Sequence, residues 1–219
     1  MPDVDLDVPA AEEFIGRCRD YEQRVKKDPY YKMYGVALYL VDRAWGDAAG
    51  MANGVSVLLV TWNWAFFNRY GRYDVDNLAR LIDDNMEVLA AYRARDVREL
   101  TEADVAEIRA LFTGFLNALR ADTNDAAGNE SPVAAGKALH VVCPAFFPLW
   151  DRKTALHYVG EYGDDAAGKY IAFCRATSYI LRELCGEPDV ELYVDGSKHT
   201  LVKLFDEYNY SKYTRGWPG

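Results

Sequence analysis

The stretch LTEADVAEIRALFTGFLNAL, Leu100–Leu119, decides the fold class. Thr101 stands where a helix N-cap belongs, and Asp104 occupies the reciprocal position of a capping box. Val105, Ile108, Leu111, Phe112, Phe115, Leu116 and Leu119 then recur in steps of three, one and four, which is one apolar stripe of a helix. Outward from this segment the same spacing predicts helices at 9–27, 30–47, 53–69, 74–93, 132–142, 152–159, 164–185 and 197–209. Sustained period-two alternation is missing, and VELYVDG, residues 190–196, is the only strand candidate. The expected fold is all-α with short connections.

The chain has 219 residues, half of them hydrophobic, enough to bury a substantial core. One globular helical domain is expected, 1–219, or two lobes of about 1–125 and 126–219 sharing a cleft. The loop RADTNDAAGNESP marks the boundary between them. No basic n-region precedes an apolar run at the start, so no signal peptide is expected. The most apolar run, GVSVLLVTWNWAFF, is too short to span a bilayer, so a cytoplasmic protein with no membrane partner is expected. Cys18, Cys143, Cys174 and Cys185 have no metal-site spacing, which predicts buried reduced thiols and no metal.

The net charge of −9 argues against a general nucleic-acid coat. It is unevenly spread: residues 1–130 carry 15 Lys and Arg against 23 Asp and Glu, while residues 131–219 carry 10 against 11. A local basic groove in the C-terminal part stays compatible with that balance.

GKALHVVCPAFFPLWDRKTAL, Gly136–Leu156, holds the candidate chemistry. Ser131 and Pro132 start a helix as N-cap and first helical residue. Ala134, Ala135 and Gly136 are poor core fillers that suit the close approach of something large. Lys137 lies in the second turn. Pro144 stops the helix, the aromatic connection is anchored by burial, and Asp151 precedes the next helix, where its carboxylate can accept from free N–H groups. Two readings stand: a helix cap and a solvated lysine, or a catalytic pair. His140 reads as a partly buried polar residue or a substrate contact, and His157 and His199 show no recognisable partners.

GKALHVV…FPLWDRKTAL resembles the core of the helix-hairpin-helix (HhH-GPD) DNA glycosylases, with Lys137 on the family lysine and Asp151 on the family aspartate. SPVAAGKAL stands where the family has glycines of the LPGxGxxTA kind, so the resemblance implies a compact, divergent branch with a degenerate hairpin. The implied activity is excision of a damaged or modified DNA base, with an anti-phage role by analogy, no cofactor, and DNA as partner. The alternative is a non-catalytic helical module binding DNA or a protein.

In such chemistry Asp151 would stabilise the oxocarbenium ion or orient water, and Lys137 would attack C1′ or hold a phosphate. A base reached by flipping needs aromatic walls, for which Trp62, Trp64, Tyr70 and Trp150 are candidates, although such residues more often simply fill a core. Arg69, Arg72, Arg152, Lys153, Lys212 and Arg215 are candidate phosphate contacts or a solvated face.

Overall fold

The computed structural model describes residues 6–121, 129–161 and 165–217. It is all-helical. Twelve α-helices are present among the described residues: α1 (Ala11–Val25), α2 (Pro29–Arg43), α3 (Ala48–Trp62), α4 (Trp64–Tyr70), α5 (Val75–Asp84), α6 (Met86–Arg93), α7 (Val105–Ala118), α8 (Pro132–Val142), α9 (Arg152–Val159), α10 (Ala166–Leu184), α11 (Pro188–Asp195) and α12 (Leu201–Asn209). A π-helical turn, Tyr210–Arg215, continues α12. The one described β contact is an isolated bridge between Ala121 and Asn129, which ties the ends of the predicted boundary loop; residues 122–128 of that loop lie outside the described residues.

Two predicted helices are each split. The run at 53–69 breaks at Asn63, with φ −121° and ψ 17°, and its side-chain amide donates to the Ser131 hydroxyl at 3.1 Å. The run at 74–93 breaks at Asn85, whose amide donates to the Leu81 carbonyl at 2.8 Å. The Asn85 amide thus takes the carbonyl its own backbone N–H leaves, while the Asn63 amide ties its bend to the start of α8. The strand candidate 190–196 is instead most of α11: Pro188 supplies the first helical residue, and Leu192 points outward, 74% exposed.

The capping box before α7 is present in a short 3-10 turn, with Asp104 accepting from the Thr101 N–H at 2.7 Å. Arg95 grips the same carboxylate at 2.7 Å and holds it down to about 2. The apolar stripe of α7 packs on α8 and α10, and α8 also meets α2 and α3, so helices from both sides of 121–130 share packing. Cys18, Cys143 and Cys174 are buried free thiols, and Cys185 is half-buried. No helix among the described residues is long and apolar enough to cross a membrane.

Candidate functional site

α8 starts as its sequence dictates, with Pro132 at its first position and the Ser131 hydroxyl accepting from the Ala134 N–H at 3.2 Å. The large neighbour of its small residues is Trp150: a Cβ on Gly136 would meet the indole at 2.9 Å and Tyr170 at 3.2 Å. Trp150 is 1% exposed, and its N–H donates to the Pro132 carbonyl at 3.0 Å. Its ring lies against Phe112, Tyr170 and Phe173. This corrects its candidacy as a base-pocket wall, because the indole that α8 and α10 enclose offers no face to DNA.

The connection 143–151 is fastened through its carbonyls. Thr200 donates to Pro144, Val97 N–H to Ala145, Tyr170 to Pro148 and His140 Nδ1 to Phe147, all between 2.7 and 3.0 Å. That anchoring fixes where Asp151 points. One carboxylate oxygen caps α9 by accepting from the Thr154 N–H at 2.8 Å. The other accepts from the hydroxyl of Thr214, in the π-helical turn. Lys153, on the exposed side, donates to the Thr214 carbonyl at 2.7 Å, so α9 and the turn are held twice.

Lys137 is buried. Its ammonium donates to the Trp62 carbonyl at 2.7 Å. That carbonyl is the last of α3, left without an intrahelical partner by the bend at Asn63, and a helix C-terminus favours a cation. Burial lowers the Lys137 pKa to about 8, against the opposing pull of Asp151 and Asp206.

His140 is fully buried and pushed by burial down to about 3, so it is neutral. Because Nδ1–H donates to Phe147, Nε2 accepts from the Tyr34 hydroxyl at 2.8 Å. This corrects both expectations for it: it is neither partly buried nor open to a substrate. Trp62 is half-buried, donates to the Tyr30 carbonyl at 2.8 Å, and stacks on Tyr34. Trp64 is 61% exposed. Arg69, on α4, lies over the Tyr70 ring, and Arg72 is exposed just beyond, so the described contacts of this group are local. Arg152 is exposed beside Glu161.

The sequence reading missed a second cluster, on α12. Lys203 is 1% exposed, donates to Asp206 at 2.7 Å and lies 3.4 Å from Glu207. Its ammonium faces the rings of Tyr21, Tyr34 and Trp62 at 4.8, 5.2 and 5.8 Å. Burial works against its charge, but Asp206, Tyr21 and Glu207 prevail and raise its pKa well above the usual value. Burial likewise pushes Asp206 up. His199 lies 2.7 Å from the buried Glu207, and His157 stacks on Tyr213, so both histidines have partners. The signal was a Lys, Asp and Glu at i, i+3 and i+4 within the apolar run LVKLFDEY.

Two cavities flank this cluster. One of about 460 Å³ is lined by Tyr31, Tyr34, Trp62, Lys203 and Glu207 among others. A larger one of about 1000 Å³ lies between α1 and α11 and shares Tyr21, His199 and Glu207 with it. Neither is lined by Lys137 or Asp151. Among the described residues, no group of three or more His, Cys, Asp or Glu is placed to hold a metal ion. No family model, no curated protein and no solved structure matches the chain.

Proposed function

We propose that this chain is a DNA glycosylase that excises a damaged or modified base. The observation that carries the reading is a buried lysine amine with a pKa lowered to about 8, within the field of a carboxylate held at both oxygens. Burial makes a neutral amine accessible near physiological pH, which nucleophilic attack requires. The lone pair of Lys137 would bond to C1′ while the C1′–N bond breaks, its electrons leaving on the base, which takes up a proton. The nitrogen then loses a proton, its lone pair forms the C1′=N bond as C1′–O4′ breaks, and O4′ takes up that proton, which gives a protonated imine. Asp151, held at its cap position, would stabilise the positive charge that builds on the sugar.

One observation favours a second reading, a non-catalytic binding module. Lys137 and Asp151 are satisfied within the protein, and neither lines the two cavities. Incubation with duplexes carrying diverse modified bases, followed by detection of abasic sites, separates the two. The glycosylase reading expects excision that falls about a hundredfold or more in Asp151→Asn. Asn keeps a cap acceptor, so the stability loss stays well under about 2 kcal/mol. Borohydride should trap a protein–DNA adduct whose yield rises with pH to a midpoint of about 8 and which Lys137→Gln abolishes. No abasic product from any duplex leaves the binding module.

A further inference from the structure

We propose that the 460 Å³ cavity between α1, α2 and α12 is a nucleotide-binding pocket, with Glu207 and Lys203 reading the edge of the base. The volume falls in the range of about 300–1,000 Å³ found for small-ligand sites. Its walls are aromatic, with Tyr34 and Trp62 packed on one another and Tyr31 meeting Trp62 edge-on. Such walls give an apolar surround to a polar floor.

The floor is polar and incomplete. Glu207 Oε1 is buried and makes no hydrogen bond, although His199 Nδ1 and Lys203 Nζ lie 2.7 and 3.4 Å away. A buried carboxylate oxygen left in that state costs free energy that a ligand N–H would recover. Lys203 sets a donor beside this acceptor. An organic cation is a poor fit, because the Lys203 ammonium already occupies the faces of Tyr21, Tyr34 and Trp62. A carboxylate ligand would meet Glu207. A heterocycle with an N–H next to a ring acceptor or carbonyl satisfies both groups.

At the mouth, Lys26, Lys32 and Lys198 are exposed cations, with Glu22 beside them. They suit a phosphate at the outer end of a ligand whose flat end is buried. A flat nitrogen heterocycle joined to a phosphate is a nucleotide, free or part of a DNA strand. The pocket does not depend on base excision, since Trp62 separates it from Lys137: the indole lines the cavity while the carbonyl takes the lysine.

The test is calorimetric titration of the full chain with the four deoxynucleoside monophosphates, their nucleosides, and a single-stranded DNA oligonucleotide. At least one base should bind saturably at one site. Glu207→Gln should weaken it about tenfold or more, as expected for a lost bond to a charged group. Lys198→Glu, on the surface, should weaken the nucleotide but not its nucleoside, and Asp151→Asn should bind as the unaltered chain does. That last result, beside lost excision, separates this pocket from the catalytic reading. Binding by the strand alone assigns the base to DNA, while equal binding by the monophosphate assigns a free nucleotide. Absence of saturable binding by all three overturns the proposal. So does wild-type affinity in a folded Glu207→Gln, or an unchanged nucleotide-to-nucleoside ratio in Lys198→Glu should the buried variant not fold.

Discussion

Lys137 on α8 and Lys203 on α12 are both enclosed by helices, yet they keep different company. Among the described residues Lys137 has one acceptor at hydrogen-bond distance, the neutral Trp62 carbonyl, and Asp151 and Asp206 act on it only through space. Lys203 has a carboxylate at 2.7 Å, a second at 3.4 Å and three aromatic faces. The first amine releases its proton near pH 8, and the second holds it well above the ordinary lysine range. Burial is common to both, so burial does not decide their charge. The partner does, because a desolvated ammonium is stable only where opposite charge and ring faces replace the lost water. Trp62 serves both, by its backbone for one and its ring for the other.

The largest effect that could break this contrast is on stability. Lys203→Met leaves the buried Glu207 and the half-buried Asp206 without their cation, and should cost about 3–5 kcal/mol in urea unfolding. A loss below about 1 kcal/mol, the range of an exposed ion pair, would show that the carboxylates do not depend on it.

His140 extends the contrast to a base whose described hydrogen-bond partners, the Phe147 carbonyl and the Tyr34 hydroxyl, are neutral. Its pKa of about 3 lies below the usual 6.5, so between those values the unfolded chain binds a proton that the folded chain refuses. Stability from this group is therefore intact above pH 6.5 and lost as pH falls toward 3, at up to about 1.4 kcal/mol per pH unit. Thermal melts from pH 7 to pH 4.5 should fall more steeply for the unaltered chain than for His140→Gln. Parallel slopes would mean that the imidazole titrates normally.

The smallest effect is expected at Lys137. A drop from 10.5 to about 8 corresponds to a charge-burial penalty of about 3 kcal/mol at neutral pH, which Met does not incur. Loss of the bond to Trp62 costs about 1–3 kcal/mol, so Lys137→Met should change urea stability by no more than about 1–2 kcal/mol. The penalty is full below pH 8 and relieved as pH rises toward 10.5, so the chain should gain stability over that interval and Lys137→Met should not. A large loss in Lys137→Met at pH 7 would place Lys137 with Lys203 and end the distinction.

The sequence alone determined the helical class, because helix hydrogen bonds and the apolar stripe of Val105–Leu119 are local, and local patterns are legible in one dimension. It determined the cap at Asp151 for the same reason, since Thr154 is three residues away. It could not place the bends at Asn63 and Asn85, where the apolar phase runs on through the break. The spacing of Lys203, Asp206 and Glu207 was visible, but it is also the spacing of a solvated helix face. Their enclosure came from Tyr21, Tyr34 and Trp62 on three other helices. Thr214 met Asp151, and Lys137 met the Trp62 carbonyl, across long stretches of chain. Charge state depends on desolvation and on partners within a few ångströms, and only the packing of distant helices supplies both.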